Sequence, residues 1–196
     1  MSVAGQGPLG EQPGASGAQP SAQWKWHSGT LYCDAGQTLA AVTAQRLNVT
    51  SGSALTDGSE LELESSLDSP SASRFYLRAT GPEGFTCEVR QAGLSVATLR
   101  ARCADSKDPI MAVEERFYLL KRSTPLKRMR TIVAAVAEAT EQRNGAVLST
   151  NALFDTEPRF NGDLRVSFHR DIPLLDAIVL SYSCYLLDAS PRIVRG

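Results

Sequence analysis

The chain is poor in the residues that most often carry chemistry. Its 196 residues include two histidines, two tryptophans, three methionines and four cysteines. No G-x-G-x-x-G, P-loop, G-x-S-x-G or H-E-x-x-H motif occurs, so the common nucleotide, phosphate and hydrolytic sites have no foothold. Cys33, Cys87, Cys103 and Cys184 form no C-x-x-C pair and have no histidine cluster beside them. A structural zinc site needs four converging ligands, so no metal or other cofactor is expected. The cysteines read as buried free thiols of a reducing compartment. Neither charge sign dominates: the net charge is −1. A globally basic nucleic-acid binder is thereby excluded, and any anion site must be a local patch. Residues 1–22 have neither a basic start nor an apolar run, so no signal peptide is expected there and the sequon Asn48-Val49-Thr50 is not expected to be glycosylated.

What is present suits one packed domain. Apolar residues make up 42% of the chain, enough for a core. Residues 1–22 are rich in Gly, Pro, Ser and Gln and cannot bury enough surface to offset their ordering entropy, so a disordered tail is expected. The domain then covers residues 23–196. From Trp24 to about residue 122 short β-patterned runs alternate with turn signals: WKWHSGTLYCD with a turn at Ser28-Gly29, QTLAAVTA, QRLNVTS, ELELES after Asp57-Gly58, RFYLRAT, then FTCEVRQ paired with LSVATLRARC across Ala92-Gly93, and MAVEERFYLLKR. In ELELES the leucines and glutamates alternate strictly, as on a strand with one wet face. Strands at this spacing indicate an antiparallel sheet or barrel.

The later part differs. In STPLKRMRTIVAAVAEATEQRNG, Thr124 can cap, Pro125 suits a first helical position and Gly145 can stop a helix, so the pattern predicts one helix over about 125–143. A strand in RMRTIVAAV is the competing reading, because Thr, Ile and Val favour it. GAVLST and DLRVSF read as short strands, with 151–163 a loop between them. The last element, PLLDAIVLSYSCYLLD at 173–188, reads as a helix without a polar face. Such a helix must be buried all round. It is short of the ~20 apolar residues of a bilayer span, and Asp176 would be costly at membrane depth. The expected fold is therefore mainly β: an antiparallel β-barrel around a buried hydrophobic C-terminal helix. The alternative is an α+β antiparallel sheet with two helices on one face.

FTCEVRQAGLSVATLRARC resembles the recurring strand–turn–strand unit of the Tubby C-terminal-like superfamily, which includes the Tubby domain, the plant LURP-one-related proteins and the phospholipid scramblases. LRVSFHRDIPLLDAIVLSYSCYLLD resembles that superfamily's final strand, short polar turn, central helix and closing acidic residue. The resemblance implies a closed barrel threaded by the helix. It also implies a lipid-facing role, since Tubby domains bind phosphoinositides.

Candidate chemistry is sparse. His169 lies near Asp163 and Asp171 in sequence and is the one base around which a small enzyme with an unrecognised pocket would be built. Glu60, Glu62 and Glu64 read as a solvated strand face. Cys184, mid-helix, is expected to be protonated and inert. The one departure from neutrality is Lys121, Arg122, Lys127, Arg128 and Arg130, with Arg116 just before them. Such a cluster attracts phosphate headgroups at ~1 kcal/mol per basic residue near an anionic membrane. The expected function is a non-enzymatic binding module, Tubby-like, docking to anionic phospholipid or phosphoinositide or to a protein partner. It is expected to be monomeric and cytoplasmic, peripheral at a membrane, and without a nucleic-acid partner. A scramblase-like role, with the final helix in the bilayer, is the remaining alternative.

Overall fold

The computed structural model describes residues 22–50, 59–68, 74–94, 96–105, 114–123, 130–136 and 152–189. They form a closed barrel of twelve antiparallel strands with one helix. The first strands are β1 (Gln23–His27), β2 (Thr30–Cys33), β3 (Thr38–Thr43), β4 (Arg46–Val49) and β5 (Ser59–Ser65). After a 3-10 turn at Ser66–Asp68 come β6 (Tyr76–Thr80), β7 (Thr86–Gln91), β8 (Thr98–Asp105) and β9 (Glu114–Ser123). β10 (Arg130–Val136), β11 (Ala152–Pro158) and β12 (Leu164–Phe168) complete the wall, and α1 (Leu174–Asp188) follows. Each strand pairs with its neighbour in sequence, and β12 closes the ring against β1.

The wall is built by period-2 patterning. In β5, Leu61 and Leu63 point into the barrel and Glu60, Glu62 and Glu64 point out. Trp24 and Trp26 do the same in β1, with Gln23, Lys25 and His27 outside. The β1–β2 turn places Ser28 at φ 47° and Gly29 at φ 78°. Two left-handed residues in succession are what a tight hairpin needs to match strand twist, and glycine adopts that φ without steric cost.

A barrel of eight strands is filled by its own side chains, and a wider one leaves space inside. Here α1 occupies it. Every residue over 176–186 is buried, so no face of the helix meets water. Its contacts lie on several sides of the wall: Trp26 of β1 donates to Ser181 Oγ at 3.0 Å, and Tyr118 of β9 donates to Asp176 at 2.5 Å. Trp26, Tyr182 and Tyr185 form a ring cluster with centroids 5.3–6.2 Å apart. Ile178, Val179, Tyr182 and Leu186 are buried as the pattern required, while Leu175 and Leu187, at the two ends, are half-buried.

Both ends of the helix are tied to one strand. On β9 the inward positions are Arg116, Tyr118, Leu120 and Arg122. Arg116 binds both oxygens of Asp176 at 2.6 and 2.9 Å and also Asp105 at 2.9 Å. Arg122 binds Asp188, which also accepts from Thr131 at 3.4 Å. The spacing fits: from Arg116 to Arg122 a strand rises ~20 Å, and from Asp176 to Asp188 a helix rises ~18 Å. The helix thus runs along β9 and is ion-paired at each end.

Three expectations need correction. Residues 130–136 are the strand β10, not part of a helix; Thr131 and Val133 face the lumen, and ladders on both sides outweigh local helix propensity. The rest of the expected helix lies outside the described residues, as does GAVLST. Residues 152–158, expected within a loop, form β11, whose buried acid Asp155 is satisfied by Arg130 and His169 at 2.6 Å each. Finally, Cys87 and Cys103 are disulfide-bonded rather than free, because the β7–β8 register sets them directly opposite with Cα atoms 4.0 Å apart. Cys33 and Cys184 are free thiols.

Candidate functional site

With the lumen filled, the outer wall and the two barrel ends are the surfaces open to a ligand. In an antiparallel meander the odd-to-even turns all lie at one end. That end carries the β1–β2, β3–β4, β5–β6, β7–β8, β9–β10 and β11–β12 connections and the C-terminus of α1. Two features meet there.

The first is a cationic stripe on the outer wall. Arg90 of β7 stands directly opposite Arg100 of β8. Lys121 of β9 pairs with Thr98, one diagonal step from Arg100. Arg130 of β10 pairs with Ser123, one diagonal step from Lys121. All four point outward, since Val89, Leu99, Leu120 and Thr131 between them are the buried lumen positions. Opposite residues have Cβ atoms ~5 Å apart and diagonal ones ~7–8 Å. The charges are unevenly compensated. Arg90 reaches Glu88 at 3.3 Å and lies 5.1 Å from the Tyr76 ring centroid. Arg130 is held by Asp155. Among the described residues, Arg100 and Lys121 pair with no carboxylate.

Of the residues expected from sequence, Lys121 and Arg130 lie on this stripe. Arg122 faces the lumen and belongs to the helix clamp. Lys127 and Arg128 lie outside the described residues, in the connection between Ser123 and Arg130. Arg90 and Arg100 were missed. They stand ten positions apart in sequence, and a turn at Ala92-Gly93 would have set Gln91 against Leu94; the observed pairing is Gln91 with Leu99.

The second feature is a cavity of ≈ 660 Å³ under the β11–β12 turn, lined by His27, Asn161, Asp163, Tyr182, Tyr185 and Phe160 among others. Asp163 is buried and uses both oxygens: one meets His27 Nδ1 at 2.5 Å and the other accepts from Asn161 at 2.9 Å. Tyr185 Oη accepts from the Gly29 N–H at 3.1 Å. The carboxylate is thus committed to holding the turns together.

His169 lines neither this cavity nor the smaller one, ≈ 290 Å³, beside Arg116 at the other end. It is half-exposed on the outer wall, where it shares Asp155 with Arg130. Burial raises the Asp155 pKa, but hydrogen bonds from Arg130 and His169 outweigh it and hold the carboxyl below its usual range. Burial pushes the Cys184 thiol up to about 12, with the Asp188 carboxylate adding to it, so the thiol stays protonated and unreactive. No group of three or more His, Cys, Asp or Glu converges on a metal-sized point among the described residues. No helix among them is long and apolar enough to cross a membrane. No protein-family model matches the chain, and neither a curated protein nor a solved structure does.

Proposed function

We propose that the chain is a non-enzymatic binding module of Tubby-like architecture that docks to anionic phospholipid through the outer stripe of Arg90, Arg100, Lys121 and Arg130. The observation that supports it is the like-charged pair Arg90–Arg100. Like charges directly opposite each other weaken a sheet. A phosphate between them relieves that repulsion, and guanidinium groups bind phosphate with two hydrogen bonds each. Near an anionic surface each basic residue contributes ~1 kcal/mol, so the stripe supplies up to ~4 kcal/mol, less the shares of Arg90 and Arg130 already taken by Glu88 and Asp155. A lipid-facing role also agrees with the superfamily that the final strand and helix resemble.

The test is sedimentation with phosphatidylcholine vesicles containing phosphatidylserine or a phosphoinositide. Binding is expected to fall with salt and to drop in Arg100→Glu/Lys121→Glu, which changes two side chains of the outer wall. Binding that resists both salt and charge reversal, or that fails on every anionic vesicle, refutes the lipid reading. An acidic protein partner is then the reading to take up.

A further inference from the structure

We propose that the barrel meets an anionic bilayer end-on, with Leu67, Leu94 and Phe160 entering the boundary between headgroups and acyl chains. The inference rests on the anionic-lipid reading and adds an orientation and an apolar component to it.

Leu67, Leu94 and Phe160 are the large apolar side chains that the described residues leave exposed, at 43%, 94% and 114%. They sit in three different connections: Leu67 between β5 and β6, Leu94 between β7 and β8, Phe160 between β11 and β12. Every one is an odd-to-even turn, so all three project from the same end of the barrel. The cationic stripe lies at that end too. Arg90 is the next-to-last residue of β7, Lys121 stands two residues before the end of β9, and Arg130 opens β10. The carboxylate at the helix C-terminus does not oppose this placement, since Asp188 is inside and paired with Arg122. The described turns of the opposite end carry no exposed large apolar side chain, and bear Asp34, Glu83 and Asp171 against Arg170.

The pattern selects a bilayer over a protein. A stable protein interface presents a contiguous core within ~800 Å² per partner. Here the apolar groups are dispersed around a rim: the β5–β6 and β7–β8 turns are ~10 Å apart along the wall, and β11–β12 is ~19 Å further. A fluid interface accepts separated side chains, and apolar insertion joined to basic attraction is how peripheral proteins hold an anionic surface. Leu67 is the least exposed of the three and is followed in the chain by Asp68, so it is expected to enter least deeply.

The test uses the full chain and vesicles of phosphatidylserine with brominated phosphatidylcholine, which quenches tryptophan at membrane depth. Trp24 and Trp26 are buried and give a constant background. Phe160→Trp and Leu94→Trp are expected to show quenching beyond wild type, and Ala35→Trp, in the β2–β3 turn of the opposite end, none. Leu94→Ser/Phe160→Ser is expected to weaken vesicle partition roughly tenfold and to leave the salt dependence in place. Vesicle binding with quenching at Ala35→Trp, or at neither end, overturns the orientation and leaves the lipid reading standing. Absence of wild-type binding overturns both.

Discussion

Replacing Asp176 by Asn removes a charge from the lumen and keeps the shape of the side chain. Asp176 is fully buried and accepts two hydrogen bonds from Arg116 and one from Tyr118. Without the carboxylate, the Arg116 guanidinium is left largely inside the barrel with Asp105 as its one remaining anion among the described residues. Breaking a buried ion pair by removing one partner costs ~3–5 kcal/mol. Asp105 keeps part of the compensation, which places the cost near ~3 kcal/mol. Against a total stability of ~5–15 kcal/mol that is a large fraction. At ~2–4 °C per kcal/mol for a domain of this size, the melting temperature of Asp176→Asn should fall by ~6–12 °C. Tyr118→Phe loses one bond to the same carboxylate and should cost ~1.5–3 kcal/mol. Arg116→Met/Asp176→Leu should recover part of the loss, since an apolar pair leaves no charge unpaired. Thermal unfolding followed by circular dichroism reads all three. If Asp176→Asn melts within ~2 °C of wild type, the ion pair does not hold the helix in the barrel.

Val179 is at the middle of α1 and fully buried. Val179→Asp puts an unpaired charge in a dry lumen, which costs several kcal/mol, so the variant should be insoluble or unfolded while Arg100→Glu keeps a cooperative melt. Reduction of Cys87–Cys103, or Cys87→Ala/Cys103→Ala, frees a hairpin with a sequence separation of 16 and should lower stability by ~3 kcal/mol; an unchanged melt under reductant would contradict it. Asp155 has a folded-state pKa below its unfolded value, so it stabilises the fold above the unfolded value and loses that contribution as pH falls through the folded one. Asp155→Asn should therefore be less stable at pH 7 and less steeply destabilised by acid below pH ~4, as read by melts across that range.

Much of the barrel is legible in the sequence because its signal is local. Alternating leucine and glutamate in β5, the Ser28-Gly29 turn and the lack of a polar face in α1 each specify a structure without reference to distant residues. β10 and β11 are less legible because their stability is borrowed from neighbours. In RTIVAAV the alanines favour helix while Thr, Ile and Val favour strand, and β9 and β11 decide between them. In ALFDTEP the acid looks like a loop residue until Arg130 and His169 are placed on it. Registers are the least legible. The connection from Gln91 to Thr98 is longer than the Ala92-Gly93 signal implies, and that slip hides two relations at once. A turn at Ala92-Gly93 would set Cys87 against Thr98; the true register sets it against Cys103, and sets Arg90 against Arg100.

The same two strands carry an internal control on what the like-charged row means. One step along the wall from Arg90–Arg100, the row Glu64–Arg78–Glu88–Arg102 alternates in sign across β5, β6, β7 and β8. Its members pair: Arg78 with Glu88 at 3.7 Å, and Arg102 with Glu115 on β9. Alternation is therefore available to this fold at positions of the same outward facing. Inward residues dictate closure and helix capture, while outward ones are free to be chosen for charge balance. The row Arg90–Arg100 departs from that balance: Arg90 is compensated by Glu88 and the Tyr76 ring, and Arg100 by no carboxylate among the described residues. In the proposed docking an external anion supplies the missing compensation, from the side of the exposed Leu94 in the turn joining those same two strands.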